Sequence, residues 1–164
     1  MRRVGPLLLL SLLVAGRADA REALGVFEGW GAFRDDRPVR CFAIAEPVRR
    51  VGRKAPWRPF ASVAHWPAQG VRGQLHIRMR ALKLHGAPVW LSIGDQRFQL
   101  AAGGADAWAP DARADAAVIA AIRSGTRMSI ETRGQNGRPL VDAYALRGAA
   151  TAIDAAALAC ARLR

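Results

Sequence analysis

The stretch QLHIRMRAL alternates strictly, with Leu75, Ile77 and Met79 on one side and His76, Arg78 and Arg80 on the other. That period of two predicts a strand with one buried and one wet face. PVRCFAIAEP is a short apolar run between prolines and predicts a strand carrying Cys41. PVWLSIG and QRFQLA predict a strand pair turning at GDQ. From Pro110 the period changes. Ala114, Val118, Ala121 and Ile122 recur at helical spacing, with Asp111 placed as N-cap and Gly125 as the stop. Asp115 suits the positive end of that helix dipole and Arg123 the negative end. TRMSIETRGQNGRPLVDAYAL predicts a hairpin at Asn136-Gly137. A two-residue loop there would set Glu131 opposite Asp142, an unfavourable pair. A longer loop over GQNG relieves it.

The last periodic segment is ATAIDAAALACARLR, where Ile153, Ala156, Ala157 and Cys160 share one helix face and Thr151, Asp154 and Arg162 lie on the other. Cys160 therefore points inward, at the end of a helix whose alanines permit close approach to a sheet. The only other cysteine is Cys41. A Cys41–Cys160 bond would close a very long loop and tie down the C-terminus. The alternative is two separately buried thiols.

The N-terminal MRRVGPLLLLSLLVAGRADA begins with Arg2 and Arg3, continues as an apolar run too short to span a bilayer, and ends Ala18-Asp19-Ala20. This is the layout of a secretory signal. Cleavage after Ala20 would leave residues 21–164 as one domain in an oxidising compartment, periplasmic or extracellular, where two cysteines pair. No cysteine follows the cut to carry a lipid anchor, and no later stretch reads as a membrane helix. The expected fold is a single β-rich domain, a sandwich or a curved antiparallel sheet, with two helices and one disulfide.

Charge adds one further signal. The chain carries a formal net charge of +12, and no acidic residue occurs between Glu46 and Asp95. Within that interval lie Arg49, Arg50, Arg53, Lys54, Arg58, Arg72, Arg78, Arg80 and Lys83. Arg49, Arg50, Arg53 and Lys54 fall in a Pro/Gly/Arg-rich loop, and Arg78 and Arg80 on the wet face of the alternating strand. Together these six form a candidate anion-binding surface. A generic solubilising role for arginine is the bland alternative. No nucleic-acid module accompanies the charge, so a specific nucleic-acid partner is not expected.

Catalytic patterns are absent from the sequence. His65, His76 and His85 lack ligand spacing, the serines sit in no nucleophile elbow, and Asp35-Asp36 in RDDRP reads as a solvated turn. No metal or other cofactor is expected. The five tryptophans, Trp30 and Trp90 especially, read as core.

Three segments in order carry a resemblance. They are GWGAFRDDRPVRCFAIAEP, then WLSIGDQRFQLAAGGADAWAPDARADAAVIAAIRSGTRMSI, then DAYALRGAATAIDAAALAC. This series resembles the invasion-associated locus B family of exported Gram-negative envelope or secreted proteins, over most of the mature chain. The resemblance implies an exported protein and transfers no catalytic residue. The expected function is non-enzymatic binding of an envelope or host component: an anionic glycan or lipid, or a protein. The alternatives are a small hydrolase-type enzyme with a site invisible in sequence, or a structural envelope component.

Overall fold

The computed structural model describes residues 21–48 and 56–161. The expected signal peptide therefore lies outside the described residues, as do Arg49, Arg50, Arg53, Lys54 and Arg162. Among the described residues ten strands form one antiparallel sheet in the order β1-β2-β3-β4-β5-β8-β7-β6-β9-β10. β1 (Glu22–Phe27), β2 (Trp30–Asp36), β3 (Val39–Ala45), β4 (Phe60–Trp66) and β5 (Val71–Arg78) form a meander. β6 (Val89–Ile93), β7 (Gln96–Gly103) and β8 (Asp106–Trp108) turn back towards it, and β9 (Arg127–Arg133) and β10 (Pro139–Ala145) end the sheet. α1 (Ala112–Ser124) connects β8 to β9, and α2 (Ala149–Ala161) follows β10.

The sheet bends sharply along β7. Its first half, Gln96 to Leu100, pairs with β6, and Ala101 to Gly103 pair with β8. The bend brings the two ends of the sheet together around one core. Trp30 of β2 is fully buried and donates its indole N–H to the carbonyl of Ala145 at the end of β10, 2.8 Å away. Val48 N–H donates to Ala143 O, also at 2.8 Å, and so covers part of the β10 edge. Between these leaves lie Val63, Leu75, Ile77, Leu91, Met128, Ile130 and Tyr144. Each sits at the inward position of its strand, as period-two alternation requires.

Helix α1 begins at Asp111, whose carboxylate accepts from Ala114 N–H at 2.8 Å, and ends at Gly125. Its buried face includes Asp115 with Val118, Ala121 and Ile122. Asp115 lies in the first turn, at the positive end of the helix dipole as expected. Its carboxylate also turns into the core and accepts the Leu75 N–H at 2.7 Å. β9 and β10 pair Glu131 with Val141, and Asp142 with Ile130. The loop is thus the longer one over Gly134–Arg138, and the like-charge pair is avoided.

Helix α2 packs on β1 to β4 through Ala149, Ala152, Ile153 and Ala156. The small side chains set the approach. Gly148, at φ +86, precedes the helix, and a Cβ there would run into the Phe27 carbonyl. Alanine is therefore excluded by both space and backbone conformation. Across the helix pair, Arg123 of α1 forms an ion pair with Asp154 of α2. At the far end of α2, Cys160 is bonded to Cys41 of β3, with Cα atoms 5.7 Å apart. Both sulfurs are buried, in a small cluster with Ala156.

Candidate functional site

Both helices pack on the inner side of the sheet, where Cys41, Gly73 and Leu75 point. Among the described residues no helix lies on the outer face of β4, β5 and β8. Strand alternation places His76 and Arg78 on it, and register decides their neighbours. His76 is the cross-strand partner of Trp108, and Arg78 that of Asp106. On the other flank Phe60 is the partner of Arg78. The His76 ring stacks on Trp108 at 5.2 Å with planes 5° apart, and meets Phe60 edge-on at 5.1 Å. Its Nε2 lies 2.8 Å from Asp106 Oδ1. The Arg78 guanidinium rests over Trp57 at 5.0 Å, and Trp57 is itself pinned by an N–H bond to Met79 O at 2.8 Å. Arg78 also lies 3.6 Å from Asp106.

The result is a row of planar groups with a cation over a ring at one end. Trp108 is 37 % exposed. One face of its indole is covered by His76. On the side of β7 its cross-strand partner is only Ala101, itself exposed, at the corner where the sheet bends. The indole is thus part-exposed, with only a small residue beside it on that strand.

Arg80 is placed differently from the sequence expectation. β5 ends at Arg78, and Arg80 lies beyond it. Its backbone N–H and its guanidinium both donate to Asp142, at 3.0 and 2.9 Å. Asp142 is 1 % exposed on the inward face of β10. Burial pushes its carboxyl above the usual range, against the pull of Arg80. Arg80 is therefore the partner of a buried carboxylate, and the wet-face pairing of Arg78 with Arg80 does not exist. Three described cations of the acid-free stretch are paired in this way. Their acids come from outside the stretch: Arg58 pairs with Glu46, Arg78 approaches Asp106, and Arg80 holds Asp142. Arg72 remains exposed, with no acidic partner among the described residues.

Other cations of the outer face are also laid on aromatic rings. Arg40 covers Phe42 at 4.7 Å and Trp66 at 5.3 Å, and Arg21 covers Phe42 at 5.0 Å. Asp35 accepts from both arginines at 2.8 Å. These bonds, Arg21 first, hold its carboxyl below the usual range despite some burial. RDDRP is an exposed turn at Arg37-Pro38, as expected, preceded by ion-paired Asp35 at the end of β2. Trp90, expected in the core, faces outward on β6 under Arg97 at 4.4 Å.

Ser62, His76 and Asp106 come nearest to a nucleophile–base arrangement. Ser62 is the cross-strand partner of His76, yet its hydroxyl donates to the main-chain carbonyl of His76 at 3.4 Å and makes no bond to the ring. Among the described residues no group of three His, Cys, Asp or Glu side chains is arranged to hold a metal ion. No helix among them is long and apolar enough to cross a membrane.

A cavity of about 320 Å³ adjoins the disulfide, lined by His65, Arg72, Val71 and Cys160 among others. Burial, with a smaller push from Arg123, lowers the proton affinity of His65 there. Trp57, Phe60, Asp106 and Trp108 were not legible as site residues. Only the alternation of β5 pointed to this face, because the other four reach it through pairings distant in sequence. No family model matches this chain, and no curated protein or solved structure is significantly similar to it.

Proposed function

We propose that the chain is an exported, non-enzymatic binding protein of the bacterial envelope, related to the invasion-associated locus B family, and that it engages an anionic component through the outer face of β4, β5 and β8. The observation that carries this reading is the Arg78 guanidinium held over Trp57 beside the part-exposed indole of Trp108. A cation fixed in a plane loses less freedom on binding than one on a loose stem. The formed Cys41–Cys160 bond supports an oxidising compartment, as do the leader-like first twenty residues. The high net charge supplies long-range attraction for a polyanion.

The test uses residues 21–164 on lipopolysaccharide and on an anionic matrix. Retention should fall steeply with salt, because the attraction is screened over about 8–10 Å at physiological ionic strength. Arg78→Gln should weaken retention further with the melting temperature unchanged. Arg80→Gln should instead lower the melting temperature, since it strips the partner from buried Asp142. Retention that ignores both salt and Arg78→Gln removes this face as the binding surface.

A further inference from the structure

We infer that the cavity beside the disulfide binds a compact apolar monocarboxylate, whose carboxylate is taken by Arg72 and whose hydrocarbon body lies against α2. This site is on the helix side of the sheet and stands apart from the outer-face reading above. Register builds it. Cys41 is the cross-strand partner of His65, and His65 that of Arg72. Cys41 points to the helices, since it is bonded to Cys160 of α2. Strict alternation along β5 from Leu75 would turn Arg72 to the opposite face, with Gln74 and His76. A bulge at Gly73, φ +95, breaks that alternation: Ala64 stands opposite Gln74, but the next residue, His65, stands opposite Arg72. Glycine is required there, because a Cβ would also stand 2.7 Å from Ile119 Cδ1 of α1. Bulges of this kind re-aim a side chain. Arg72 thereby comes to line the cavity with His65 and Cys160.

Charge selects an anion. Among the described residues that line the cavity none is acidic. Arg72 is exposed and has no acidic partner among the described residues. Arg123, the cation that acts on His65, is already paired with Asp154. Burial first, and Arg123 second, keep the His65 imidazole neutral, so that wall carries no charge of its own. The unpaired charge is therefore the Arg72 guanidinium, whose planar fork matches a carboxylate.

The other walls select an apolar body. Pro67 and Val71 face the cavity from the β4–β5 connection, and Ala157, Cys160 and Ala161 from α2. Its volume, about 320 Å³, lies at the small end of the range for small-molecule sites, about 300–1,000 Å³, so the body is compact. Both walls are fixed before anything binds. The disulfide holds the end of α2 against β3, and the turn at Pro67–Gln69 is closed by Gly70 N–H donating to Pro67 O at 3.1 Å. A preformed cavity spends less of the binding energy on ordering. A bare inorganic anion would leave the apolar walls unused, and a neutral hydrocarbon would leave Arg72 unused.

The experiment titrates residues 21–164 with octanoate, 1-octanol and acetate, followed by amide chemical shifts in NMR spectra. Octanoate should shift the amides of Val71, Arg72, Ala157 and Cys160 saturably, and should bind roughly tenfold tighter than octanol or acetate. Arg72→Gln should weaken octanoate roughly tenfold, to the level of octanol, and leave octanol unchanged. Ala157→Leu should weaken both by filling the cavity. Arg72 is exposed, so its replacement leaves the core intact, and amide shifts unchanged away from the cavity verify that each variant is folded. If octanoate and octanol bind alike and Arg72→Gln alters neither, the inference of a carboxylate ligand falls. If octanoate shifts no amide at the cavity, or only those around Arg78, the inference falls as well, with the outer-face reading left intact.

Discussion

Removing the Cys41–Cys160 bond should destabilise the whole domain, and the size follows from the length of chain it closes. The cysteines are 119 residues apart in sequence. In the loop-entropy model a closure of that length restricts the unfolded chain by about 5 kcal/mol at 25 °C. Domains of this size are stable by roughly 5–15 kcal/mol in all, so a third or more of the total is at stake. The perturbation is the double variant Cys41→Ala/Cys160→Ala, which avoids leaving reactive thiols. Both positions are buried beside Ala156, so alanine introduces no polar group and only small voids.

Urea unfolding should show a lower midpoint, and thermal melting should fall by roughly 10–20 °C. The dependence on denaturant should also steepen, because an unlinked chain exposes more surface on unfolding. Hydrogen exchange adds a local readout. α2 packs on β1 to β4 largely through small alanines, and should lose protection first. A melting temperature within about 2 °C of the linked protein would refute the reasoning. It would mean that the unfolded chain is already as compact without the bond. Loss of protection confined to α2 would refute the global effect as well, since the helix would then be a separately melting unit.

Two further outcomes follow from buried ionisable groups. Asp115→Ala should cost about 1–3 kcal/mol in denaturant unfolding by orphaning the buried Leu75 N–H, whereas Asp115→Asn should retain most of the stability through its amide oxygen. His65 has its proton affinity lowered in the fold by burial and then by Arg123, so below about pH 6.5 the unfolded chain binds the extra proton more readily. Its contribution is present above that pH and lost on acidification. His65→Gln should flatten the fall in urea midpoint between pH 7.5 and 5.5, and an unchanged slope would remove His65 as its source.

Local pattern carried much of this protein. The alternation of Leu75, Ile77 and Met79 placed β5 with the correct face inward. The capping chemistry of Asp111 and the stop at Gly125 bounded α1 to the residue, because both act within one helical turn. The spacing of Ile153, Ala156 and Cys160 set the buried face of α2 and, with only two cysteines present, the disulfide. These features are determined by neighbours a few positions away, or by elimination.

Charge and aromatic placement were decided elsewhere. The acid-free interval looked like a free basic surface, yet Asp142, 62 residues on, takes Arg80, and Asp106 approaches Arg78. Trp90 has the composition of a core residue but falls on the outward parity of its strand, under Arg97. β8 is three residues long, too short for any period to show, and it is this strand that brings Trp108 and Asp106 to His76 and Arg78. Parity along one strand can be read from sequence. Which strand lies beside which, and in what register, is set by closure of the whole sheet around Trp30 and its partners, and so belongs to the tertiary structure alone.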